Sequence, residues 1–588
     1  MSITSAILPH GGVPTLFINS RPIPGLAYMT YLTERADYAN MAAMSCRLYS
    51  IPVFFAARPV NAAELCGPFA PGIFDTRGRP DFSAADADIA QLLEVCPDAL
   101  IFPRVNVTLP RWWEEEHPEE CNDAGVNGNP PRACPAGTCW RQDTAAYLET
   151  YIRHMEEGPF ADHILGYQIA GGQTEEWMAV DLNGNRGPAL RAAFEKACPG
   201  GDETAYRRFS STAVVEALSL LAACAKAAVQ NQKVIGAFYG YTFETPWWQS
   251  AHGAMSRLLR DANIDFLCSP LSYNRLRAPG IDWACMTVLD SVRLHGKLYF
   301  AEADVRTCRT LSLAESRPGI CKPTDYAGGI WAGPQDPWLC CQLLRAVFCR
   351  ALCRGTALWW FDMWGGWYDH PALQQELSSF YAPARLSLED TQRGSTAQLA
   401  VFADEAAPAE SDAPMGQAPG CNVLYQSRIP LGACGAPYDV YELADLDAVL
   451  AMKTEDGAPR YSAAVFLIRT HTAAMDAAIG NWKANDRAAL SVDPDTPPLT
   501  AHSLHNFCCT AGIHCFAAPG DVIYVNENWI AIHAAEAGEK TLRLPGQRRI
   551  TPVLSDEPTG AGAIISDHIT IVLRQYETRL YRLEPVSP

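Results

Sequence analysis

The stretch Gly296–Thr307, GKLYFAEADVRT, indicates the fold of this chain more clearly than any other. Its apolar run, Leu298–Ala301, predicts a short buried strand, and Glu302, Asp304 and Arg306 follow it directly. Charged side chains at the end of a buried strand are typical of a functional site at the carboxyl edge of a parallel sheet. The stretch therefore predicts both a strand and the place where chemistry occurs.

A second stretch upstream has the same design. The sequence ILGYQIAGGQTEEW, Ile164–Trp177, begins as an apolar strand, continues through two glycines and reaches Glu175 and Glu176. Two strands that each lead into glutamate predict a site built on two carboxylates.

Between the N-terminus and about residue 385, apolar strand-like runs alternate with longer helical segments at intervals of about 40 residues. One of these segments, Ser210–Gln230, precedes the fifth strand and has the apolar stripe of an outer helix. Eight strands in βα alternation predict a (β/α)8 barrel. The predicted strands are Leu26–Tyr31, Ile51–Ala56, Ala99–Val105, Ile164–Ala170, Val234–Gly240, Phe266–Pro270, Lys297–Glu302 and Ala357–Met363.

The ends of these strands are rich in polar and aromatic residues. A sugar needs both kinds, because its C–H face packs on rings while its hydroxyl groups require directional polar partners. Trp364 and Trp367 follow the eighth strand and are candidates for a substrate wall, whereas Trp359 and Trp360 fit barrel packing equally well. The candidate substrate-binding residues are Arg104, Asn106, Glu175, Tyr239, Tyr241, Tyr273, Arg275, Asp304, Arg306, Asp362 and Trp364.

Glu176 and Glu302 are the candidate catalytic pair. They lie 126 residues apart (302 − 176), which three βα units of about 42 residues would span, so they fit strands four and seven of one barrel. Hydrolysis of a glycosidic bond with retention of the anomeric configuration needs two carboxyl groups about 5–5.5 Å apart. Coordinates that placed the carboxyl oxygens about 9 Å apart or more, or at opposite ends of the barrel, would contradict this pairing.

The two carboxylates need different environments. We expect Arg306 to hold the pKa of the nucleophile Glu302 down, and Trp177 to favour the protonated acid Glu176 by excluding water. Adjacent residues in extended chain point to opposite sides, so only one of Glu175 and Glu176 can be the acid. Each functional role has a structural alternative. A glutamate that closes a strand is commonly a solvated loop residue, and Asp304, Arg306 and Arg104 could pair only with one another as structural ions.

The composition changes near residue 390, and two further units follow. Runs such as Gln398–Ala403 and Ala463–Ile468, a turn, strand and loop over Gly435–Leu446 and a helix over Met475–Asn481 predict a small Rossmann-like αβ domain. No GxGxxG or Walker-type loop occurs in it, so nucleotide binding has no support. Short alternating strands from about residue 515 predict a β-sandwich. The predicted domains are 1–390, including an N-terminal hairpin over Thr15–Tyr28, 391–514 and 515–588.

Charge and hydropathy exclude several classes of protein. The chain has 588 residues and a formal charge of −19, and no run rich in lysine or arginine offsets that charge, so neither nucleic acid nor a membrane surface is an expected partner. The first residues lack the pattern of a secretory signal, and the most apolar helical segment, Thr212–Val229, is interrupted by Glu216 and Lys226. We therefore expect a cytoplasmic location.

The 21 cysteines fall mostly in apolar segments, as small buried hydrophobic residues with reduced thiols. One loop, CNDAGVNGNPPRACPAGTC, is different, because Cys121, Cys134 and Cys139 lie among prolines and glycines. These three residues are candidate ligands of a structural zinc ion, although no CxxC pair accompanies them. Otherwise we expect no cofactor.

Taken together, these residues resemble the family-42 β-galactosidases and related retaining (β/α)8 glycosidases. The resemblance covers nearly the whole chain in its order of barrel, small αβ domain and β-sandwich. GYQIAGGQTEEW is similar to the family's fourth-strand segment and implies that Glu176 is the acid/base, while LYFAE implies that Glu302 is the nucleophile. Glu175 stands where these enzymes usually carry an asparagine that contacts the sugar 2-hydroxyl, and Gln173 is a candidate substitute.

The resemblance implies a retaining exo-β-glycosidase of carbohydrate metabolism that acts on an oligosaccharide or simple β-glycoside. It also implies a homotrimer whose middle domain encloses the site, and the cysteine loop lies where some family members bind zinc. β-Mannosidase and β-glucosidase activities remain open, because related families share this three-domain plan. A transglycosylase, a phosphorylase and a non-catalytic carbohydrate-binding protein on the same fold are further alternatives. A panel of nitrophenyl β-glycosides distinguishes the enzymes from the binding protein.

Overall fold

A computed structural model describes residues 3–60, 66–122, 132–172, 175–178, 187–243, 251–273, 277–405, 419–556 and 562–586, with the backbone alone for 419–422. Its strands belong to a closed parallel sheet, a smaller parallel sheet, an antiparallel C-terminal sheet and two short accessory sheets.

The eight predicted barrel strands form one closed parallel sheet. The eighth strand pairs with the first, Phe361 opposite Met29, and the third pairs with the fourth, Val105 opposite Ile169. Neighbouring strands pair in parallel around the rest of the circle, so the (β/α)8 prediction is confirmed. The strands are Leu26–Met29, Leu48–Ser50 with Pro52–Phe54, Leu100–Ile101 with Arg104–Asn106, Gly166–Ala170, Val234–Phe238, Phe266–Pro270, Leu298–Ala303 and Ala357–Phe361.

The second and third strands are each divided into two pieces. Pro52 opens the second half of one strand and Pro103 lies between the halves of the other, and proline has no N–H to donate to a ladder. The amide of Phe102 still donates to Tyr49 O at 3.0 Å, so the register continues across the break. The predicted start of the second strand was too late by three residues, because it took Ile51 as the first.

Helices surround the barrel on its outer side. Helix Glu203–Ala228 buries Val214, Leu218, Leu221 and Ala225, an i, i+4, i+7, i+11 stripe of the kind predicted for an outer helix. By length and hydropathy alone it is the one helix in the described ranges that qualifies as a membrane span, and 50% of its most apolar window is buried inside the protein. Buried core helices pass the same test. The helices in the described parts of residues 1–390 are Tyr38–Ala43, Ser83–Val95, Arg111–Glu116, Thr138–Glu157, Gly187–Ala197, Glu203–Ala228, Met255–Leu259, Leu289–Leu294, Leu313–Ser316, Pro337–Arg354, Pro371–Ser379 and Tyr381–Leu386.

The N-terminal hairpin begins earlier than predicted. Strands Ser5–His10 and Val13–Ile18 pair in antiparallel fashion around Gly11 and Gly12, and the predicted turn at Asn19 leads only to the short strand Arg21–Pro22. The alternation over Thr15–Ile18 indicated one strand of the hairpin, while its partner lies upstream.

The second unit is a four-stranded parallel sheet in the spatial order Tyr438–Glu442, Leu399–Ala403, Ala463–Leu467, Ala488–Val492. This 2-1-3-4 order is that of a flavodoxin-like αβ unit. The strand Ala488–Val492 was missing from the prediction, because its residues are only half buried and give a weak apolar signal. Helices of this unit are Pro419–Gly432, Leu446–Ala451, Ala473–Ala484 and Ala501–Thr510.

The last unit is an antiparallel sheet of five strands with an apolar core of its own. Its longest strand, Gly538–Leu554, pairs with Ile564–Leu573 along its first part and with Thr578–Pro585 along its second, with a register shift between Arg543 and Arg548. The predicted sandwich strands are thus hydrogen-bonded into one sheet among the described residues. The remaining strands are Val522–Val525 and Trp529–His533, and the core includes Ile530, Ile532, Leu542, Ile569 and Leu583.

Candidate active site

The fourth and seventh barrel strands deliver their terminal residues to the same rim, because all eight strands are parallel. Glu302 is the fifth residue of the seventh strand and lies opposite Trp359 of the eighth and Pro270 of the sixth. Glu175, Glu176 and Trp177 follow the fourth strand, Gly166–Ala170. Both glutamates therefore lie at the strand ends where the sequence places them, and their pairing as catalytic groups stays a prediction.

Arg104 connects the two strand ends. It comes from the third strand, and its guanidinium Nε lies 3.2 Å from Glu175 Oε2 while its Nη1 lies 3.6 Å from Glu302 Oε2. All three side chains are almost fully buried. The rings of Tyr31 and Phe238 lie 5.5 Å and 5.1 Å from the guanidinium carbon, within the range of a cation–π contact. One cation thus serves two buried carboxylates.

The environment of Glu302 favours its protonated form. Burial raises its pKa well above the usual value, the charges of Asp304 and Glu176 raise it further, and Arg104 and Arg277 oppose the rise. The effect of Glu176 on this pKa places both candidate catalytic carboxylates in one electrostatic unit. Tyr31 and Cys268, whose pKa values are raised mainly by burial, also respond to both glutamates.

Glu175 and Glu176 have different surroundings, although the chain turns at Glu175 and is not the extended strand that the alternation argument assumed. Glu175 is fully buried against Arg104, whereas Glu176 is half buried. Burial raises the pKa of Glu175, while the charge of Arg104 and polar contacts with Asn106 and Tyr31 lower it. Glu175 therefore lies inside the barrel end.

The two glycines of the fourth-strand segment allow this arrangement. Gly172 has φ +68°, and a Cβ there would lie 2.8 Å from the carbonyl oxygen of Met178. The chain turns back at this point, so that Glu176 bridges Gly171 and the amide of Trp177 donates to Gly171 O at 2.7 Å. Glu175 and Trp177 also take left-handed φ values of 64° and 60°, a conformation that side chains disfavour. The backbone is therefore strained on both sides of Glu176, and the hydrogen bond from Trp177 to Gly171 holds it in place.

Tyr241 is one of the partners of Glu176. Burial raises the pKa of Tyr241 well above its usual value, and the neighbouring Glu176 carboxylate, to which its hydroxyl is hydrogen-bonded, raises it further. His252 packs behind the loop, with its ring 4.2 Å from that of Tyr239, and burial lowers its pKa to about 3. A neutral imidazole is therefore built into the wall behind the loop.

Asp304 is the centre of a second network. Both Arg277 and Arg306 form ion pairs with its carboxylate, and Tyr273 donates its hydroxyl to Asp304 Oδ2 at 3.1 Å. The prediction that Arg306 lowers the pKa of Glu302 is wrong. Arg306 is bound to Asp304, and the cations that lower the pKa of Glu302 are Arg104 and Arg277. The cation nearest to Glu302 in the sequence is thus not the cation that lies beside it in the structure.

The eighth strand supplies aromatic and turn residues. Trp364 stacks on Phe69 and Tyr31, with ring centroids 6.1 Å and 6.2 Å away. Asp362 accepts hydrogen bonds from the Tyr28 hydroxyl at 2.7 Å and from the amide of Trp367 at 2.9 Å, and burial raises its pKa to about 7. Asp362 thus organises the turn that carries the tryptophans. Trp359, packed against Phe102 and Phe300, lies in the barrel core.

The other predicted residues divide into four groups. Asn106 lies beside Glu175, and its Oδ1 also accepts from the amide of Thr108 at 2.9 Å. The hydroxyl of Tyr239 binds backbone at Ala251 and Ala254, behind the wall. Gln173 and Arg275 lie outside the described residues. The predicted lid Trp177 is buried, and its indole N–H donates to Ile169 O at 3.0 Å, so it anchors the loop.

Several buried polar atoms at this rim have no hydrogen-bond partner of good geometry within the described ranges. They are the guanidinium nitrogens of Arg104, both carboxylate oxygens of Glu175 and Oε2 of Glu302. Buried polar groups are ordinarily satisfied, and a set of them at the end of a barrel fits a ligand that supplies hydroxyl groups.

Sequence reasoning missed Arg277, Tyr31, Cys268 and His252 as members of this environment. Tyr31 stands at the end of the predicted first strand and Cys268 lies within the sixth, so strand position was an available signal for both. Arg277 and His252 lie in irregular segments, and no periodic pattern places a loop side chain.

The three loop cysteines do not converge on one point in the described part of the chain. Cys121 donates weakly to the carbonyl of His117 at 3.4 Å, and Cys134 accepts from the amide of Ala136 at 3.4 Å. They are absent from the groups of ligand atoms that lie within 4.8 Å of one another among the described residues. Zinc in this loop stays a prediction.

Comparison with known proteins supports the geometry at the level of fold. The structure is similar to the β-galactosidase of Bacillus circulans sp. alkalophilus, with a TM-score of 0.56 and 12% identity over 95% of this chain and 99% of the other. The structure is also similar to a catalytic mutant of a GH42 β-galactosidase from G. stearothermophilus, with a TM-score of 0.58 and 10% identity over 96% of this chain and 98% of the other. The chain has the fold of the family-42 β-galactosidases.

The same architecture also extends to another activity. α-L-Fucosidase isoenzyme 2 from Paenibacillus thiaminolyticus is similar with a TM-score of 0.50 and 10% identity, over 96% of this chain and 74% of the other. No family model matches the sequence, and no curated protein matches it. At these identities the comparisons show the fold, and the activity has to be argued from the side chains.

Proposed function

We propose that this chain is a retaining exo-β-glycosidase, β-galactosidase-like, with Glu302 as nucleophile and Glu176 as acid/base. The observation that carries the proposal is that Glu176 and Glu302 follow strands four and seven at one rim of a closed parallel barrel, where Arg104 lies 3.6 Å from Glu302. The charge of Glu176 also raises the pKa of Glu302. The fold of the β-galactosidases is consistent with it.

In the first step the Glu302 carboxylate attacks the anomeric carbon while the bond to the leaving oxygen breaks and Glu176 gives that oxygen its proton. A covalent glycosyl-enzyme results. In the second step Glu176 takes a proton from water, the water oxygen attacks the same carbon, and Glu302 is released as a carboxylate. The two inversions give net retention.

The two acids beside Arg104 carry different resting charges. Burial raises the pKa of Glu302, yet Glu302 must be ionised to attack, so it requires the positive charges of Arg104 and Arg277, which oppose that rise. Glu175 shares that cation and is buried, and we assign a proton to it. A protonated carboxyl can donate a hydrogen bond to a sugar hydroxyl, as the asparagine at this place in the family would. The substitution of glutamate for asparagine is then compatible with sugar binding.

Enclosure of the rim by the αβ unit favours removal of terminal sugars. Tyr425, on helix Pro419–Gly432, donates to Tyr273 O at 2.8 Å, and Arg428 of the same helix donates to Phe243 O at 3.1 Å. Arg469, which follows a strand of the αβ sheet, donates to Thr242 O at 3.0 Å. These contacts bring a second unit onto the ends of strands five and six, which restricts access by the middle of a polymer.

The test is a panel of nitrophenyl β-glycosides with Glu302→Ala, Glu176→Gln and the exposed control Glu157→Gln. Removal of the nucleophile should reduce kcat by about 10⁴ or more, and removal of the acid/base by about 10²–10⁴. The control should retain the wild-type rate. Wild-type inactivity on every sugar, or full activity of Glu302→Ala, would contradict the proposal.

Azide separates the two roles. With Glu176→Gln, azide should attack the glycosyl-enzyme and yield a β-glycosyl azide, whereas with Glu302→Ala it should replace the carboxylate and yield the α-anomer. NMR of the products distinguishes the anomers. Rescue of Glu175→Gln in place of Glu176→Gln would move the acid/base role to Glu175.

A further inference from the structure

A cluster of metal-ligating side chains lies in the units that follow the barrel. His505, Cys509 and Cys515 each place one ligand atom within 4.8 Å of the other two. In the described part of the chain this is the one group of three or more histidine, cysteine or acidic residues that meets that criterion. The cluster lies where the last helix of the αβ unit leads into the C-terminal sheet.

The local sequence explains why the three residues meet. His505 and Cys509 are four residues apart on helix Ala501–Thr510, so they lie on the same helical face. The chain then turns at Gly512, with φ +72°, and returns to place Cys515 beside that face. The spacing H-x3-C-x5-C thus forms a three-residue ligand set through a helix end and a single turn.

The sulfur atoms are separated by a distance that suits a shared metal ion. Cys509 Sγ lies 3.7 Å from Cys515 Sγ. A tetrahedral zinc ion with Zn–S bonds of about 2.3 Å sets its sulfur ligands about 3.8 Å apart. A disulfide would require about 2.05 Å, so the observed spacing fits metal coordination without rearrangement.

His505 is oriented by its backbone neighbour. Its Nδ1 lies 2.8 Å from the carbonyl oxygen of Cys434, and a carbonyl can only accept, so Nδ1 carries the proton. Nε2 is then the nitrogen with a free lone pair. A ligating histidine commonly has this arrangement, with one ring nitrogen donating to a carbonyl and the other binding the metal.

Three protein ligands leave one coordination position, and the cluster lines a cavity of about 1030 Å³. The cavity wall comes from both units, since Gln398 belongs to the αβ unit while Asp521 and Lys540 belong to the C-terminal sheet. Cys509 is exposed, which gives an ion a path of entry. His514 is not a competing ligand through Nε2, which lies 2.9 Å from Arg543 O.

We propose that His505, Cys509 and Cys515 form a Zn²⁺ site with a fourth, solvent-facing position. Two thiolates and an imidazole are the ligand types that zinc prefers over magnesium or calcium. The ion joins the end of helix Ala501–Thr510 to the segment that begins the C-terminal unit. It stabilises that junction and takes no part in the chemistry at the barrel rim.

The test is a titration of the reduced, chelator-treated full chain with Co²⁺, followed by displacement with Zn²⁺. Co²⁺ bound by thiolates in a tetrahedral site gives intense visible and near-ultraviolet absorption that hexaaqua Co²⁺ lacks. We expect saturation with this spectrum, and affinity weaker by more than about 100-fold in Cys509→Ser, Cys515→Ser and His505→Gln, since even residues that only support ligands cost 10–100-fold. The exposed Cys198→Ser is the matched control and should bind as wild type.

A second control separates this site from the loop cysteines. The double variant Cys121→Ser/Cys139→Ser should retain the Co²⁺ spectrum, and circular dichroism should show that each variant keeps the wild-type fold. The proposal is overturned if wild type gives no thiolate–Co²⁺ spectrum, or if the loop variant loses the spectrum while Cys509→Ser retains it. A Cys509–Cys515 disulfide found in a chain whose reduced form binds no Co²⁺ would identify a redox pair in its place.

Discussion

Arg104 lies between two buried carboxylates, and its single charge controls how protons are distributed in the site. Its Nε faces Glu175 and its Nη1 faces Glu302, while burial raises the pKa of both acids. Each pKa unit corresponds to about 1.4 kcal/mol, so moving the proton from one acid to the other is within reach of small changes in contact. Two buried acids that share one cation favour a state with one proton between them.

Glu175→Gln tests this distribution. The amide keeps the shape of a protonated carboxyl, so we expect kcat/KM near neutral pH to remain within about tenfold of wild type. The pKa of Glu175 is raised by burial, and a function that needs its proton is lost as pH rises through that pKa. The variant should therefore retain activity to higher pH than wild type, as a pH–rate profile would show.

The matched comparison is Glu302→Gln, which is equally buried but should lose activity at every pH. If Glu175→Gln is inactive across the profile while its melting temperature is unchanged, Glu175 works as a carboxylate and the assigned proton is wrong.

At the scale of elements, the turn at Gly172 and the packing of Trp177 give Glu175 and Glu176 different surroundings. The turn at Gly172 allows residue 176 to bridge residue 171, and the Trp177 indole fixes the end of the loop to Ile169 O. Left-handed φ values at Glu175 and Trp177 cost of order 1–3 kcal/mol each, and burial of Trp177 offsets part of that cost. The loop's geometry is therefore imposed by its packing.

Gly172→Ala should disrupt this loop. The added Cβ would lie 2.8 Å from Met178 O, in a backbone conformation that alanine disfavours by about 1–2 kcal/mol. We expect kcat/KM to fall by at least about tenfold through misplacement of Glu176. Steady-state kinetics and a thermal melt measure the two effects separately.

Gly200→Ala provides the control, because Gly200 also has a left-handed φ, +75°, but a Cβ added there would meet no atom within 4 Å beyond the adjoining residues of the chain. It should lose a similar amount of stability from backbone strain and keep full activity. Equal kinetic losses in both variants would show that the loop is not the determinant.

At the scale of the whole molecule, buried ion pairs tie the last long barrel helix, Pro337–Arg354, to the later units. Arg354 binds Asp290 Oδ2 at 2.6 Å and Asp439 Oδ1 at 3.0 Å, which joins the barrel to the αβ sheet. Arg345 binds Asp556 Oδ1 at 2.9 Å and donates to the carbonyl of Thr578, which joins it to the C-terminal sheet. The three units are expected to unfold together.

Arg354→Ala should destabilise the whole chain by up to about 3–5 kcal/mol at pH 7.5, because it leaves Asp290 and Asp439 buried near each other with one cation fewer, although Arg293 still acts on both. Burial and the charge of Asp439 raise the pKa of Asp290, and Arg354 opposes that rise, so its removal raises this pKa further. Protonation at about pH 5 removes part of the penalty, and the loss of stability should be smaller there.

Chemical denaturation at the two pH values measures this difference, and the exposed Arg309→Ala is the control that should change little. A loss of stability that is equal at both pH values would contradict the role assigned to the buried carboxylates.

The barrel and the placement of its fourth and seventh strand ends at one rim were predictable, because both depend on local signals. Apolar runs such as Leu298–Ala301 mark buried strands whatever surrounds them, and the fixed length of a βα unit relates Glu176 to Glu302. The partner of each charge was not predictable. Arg306 is two residues from Asp304 and binds it, while Glu302 takes its cation from Arg104, 198 residues earlier (302 − 104).

The amino-acid sequence alone determined the order of the units, the strands of the barrel and the rim where the carboxylates lie, since hydropathy and spacing are properties of the chain itself. Only the tertiary structure decided that Glu175 is buried beside Arg104 while Glu176 is half exposed, and that His505, Cys509 and Cys515 form one ligand set. The physical reason is that ion pairing and metal coordination depend on distances of a few ångströms between atoms, which strand closure and loop turns create.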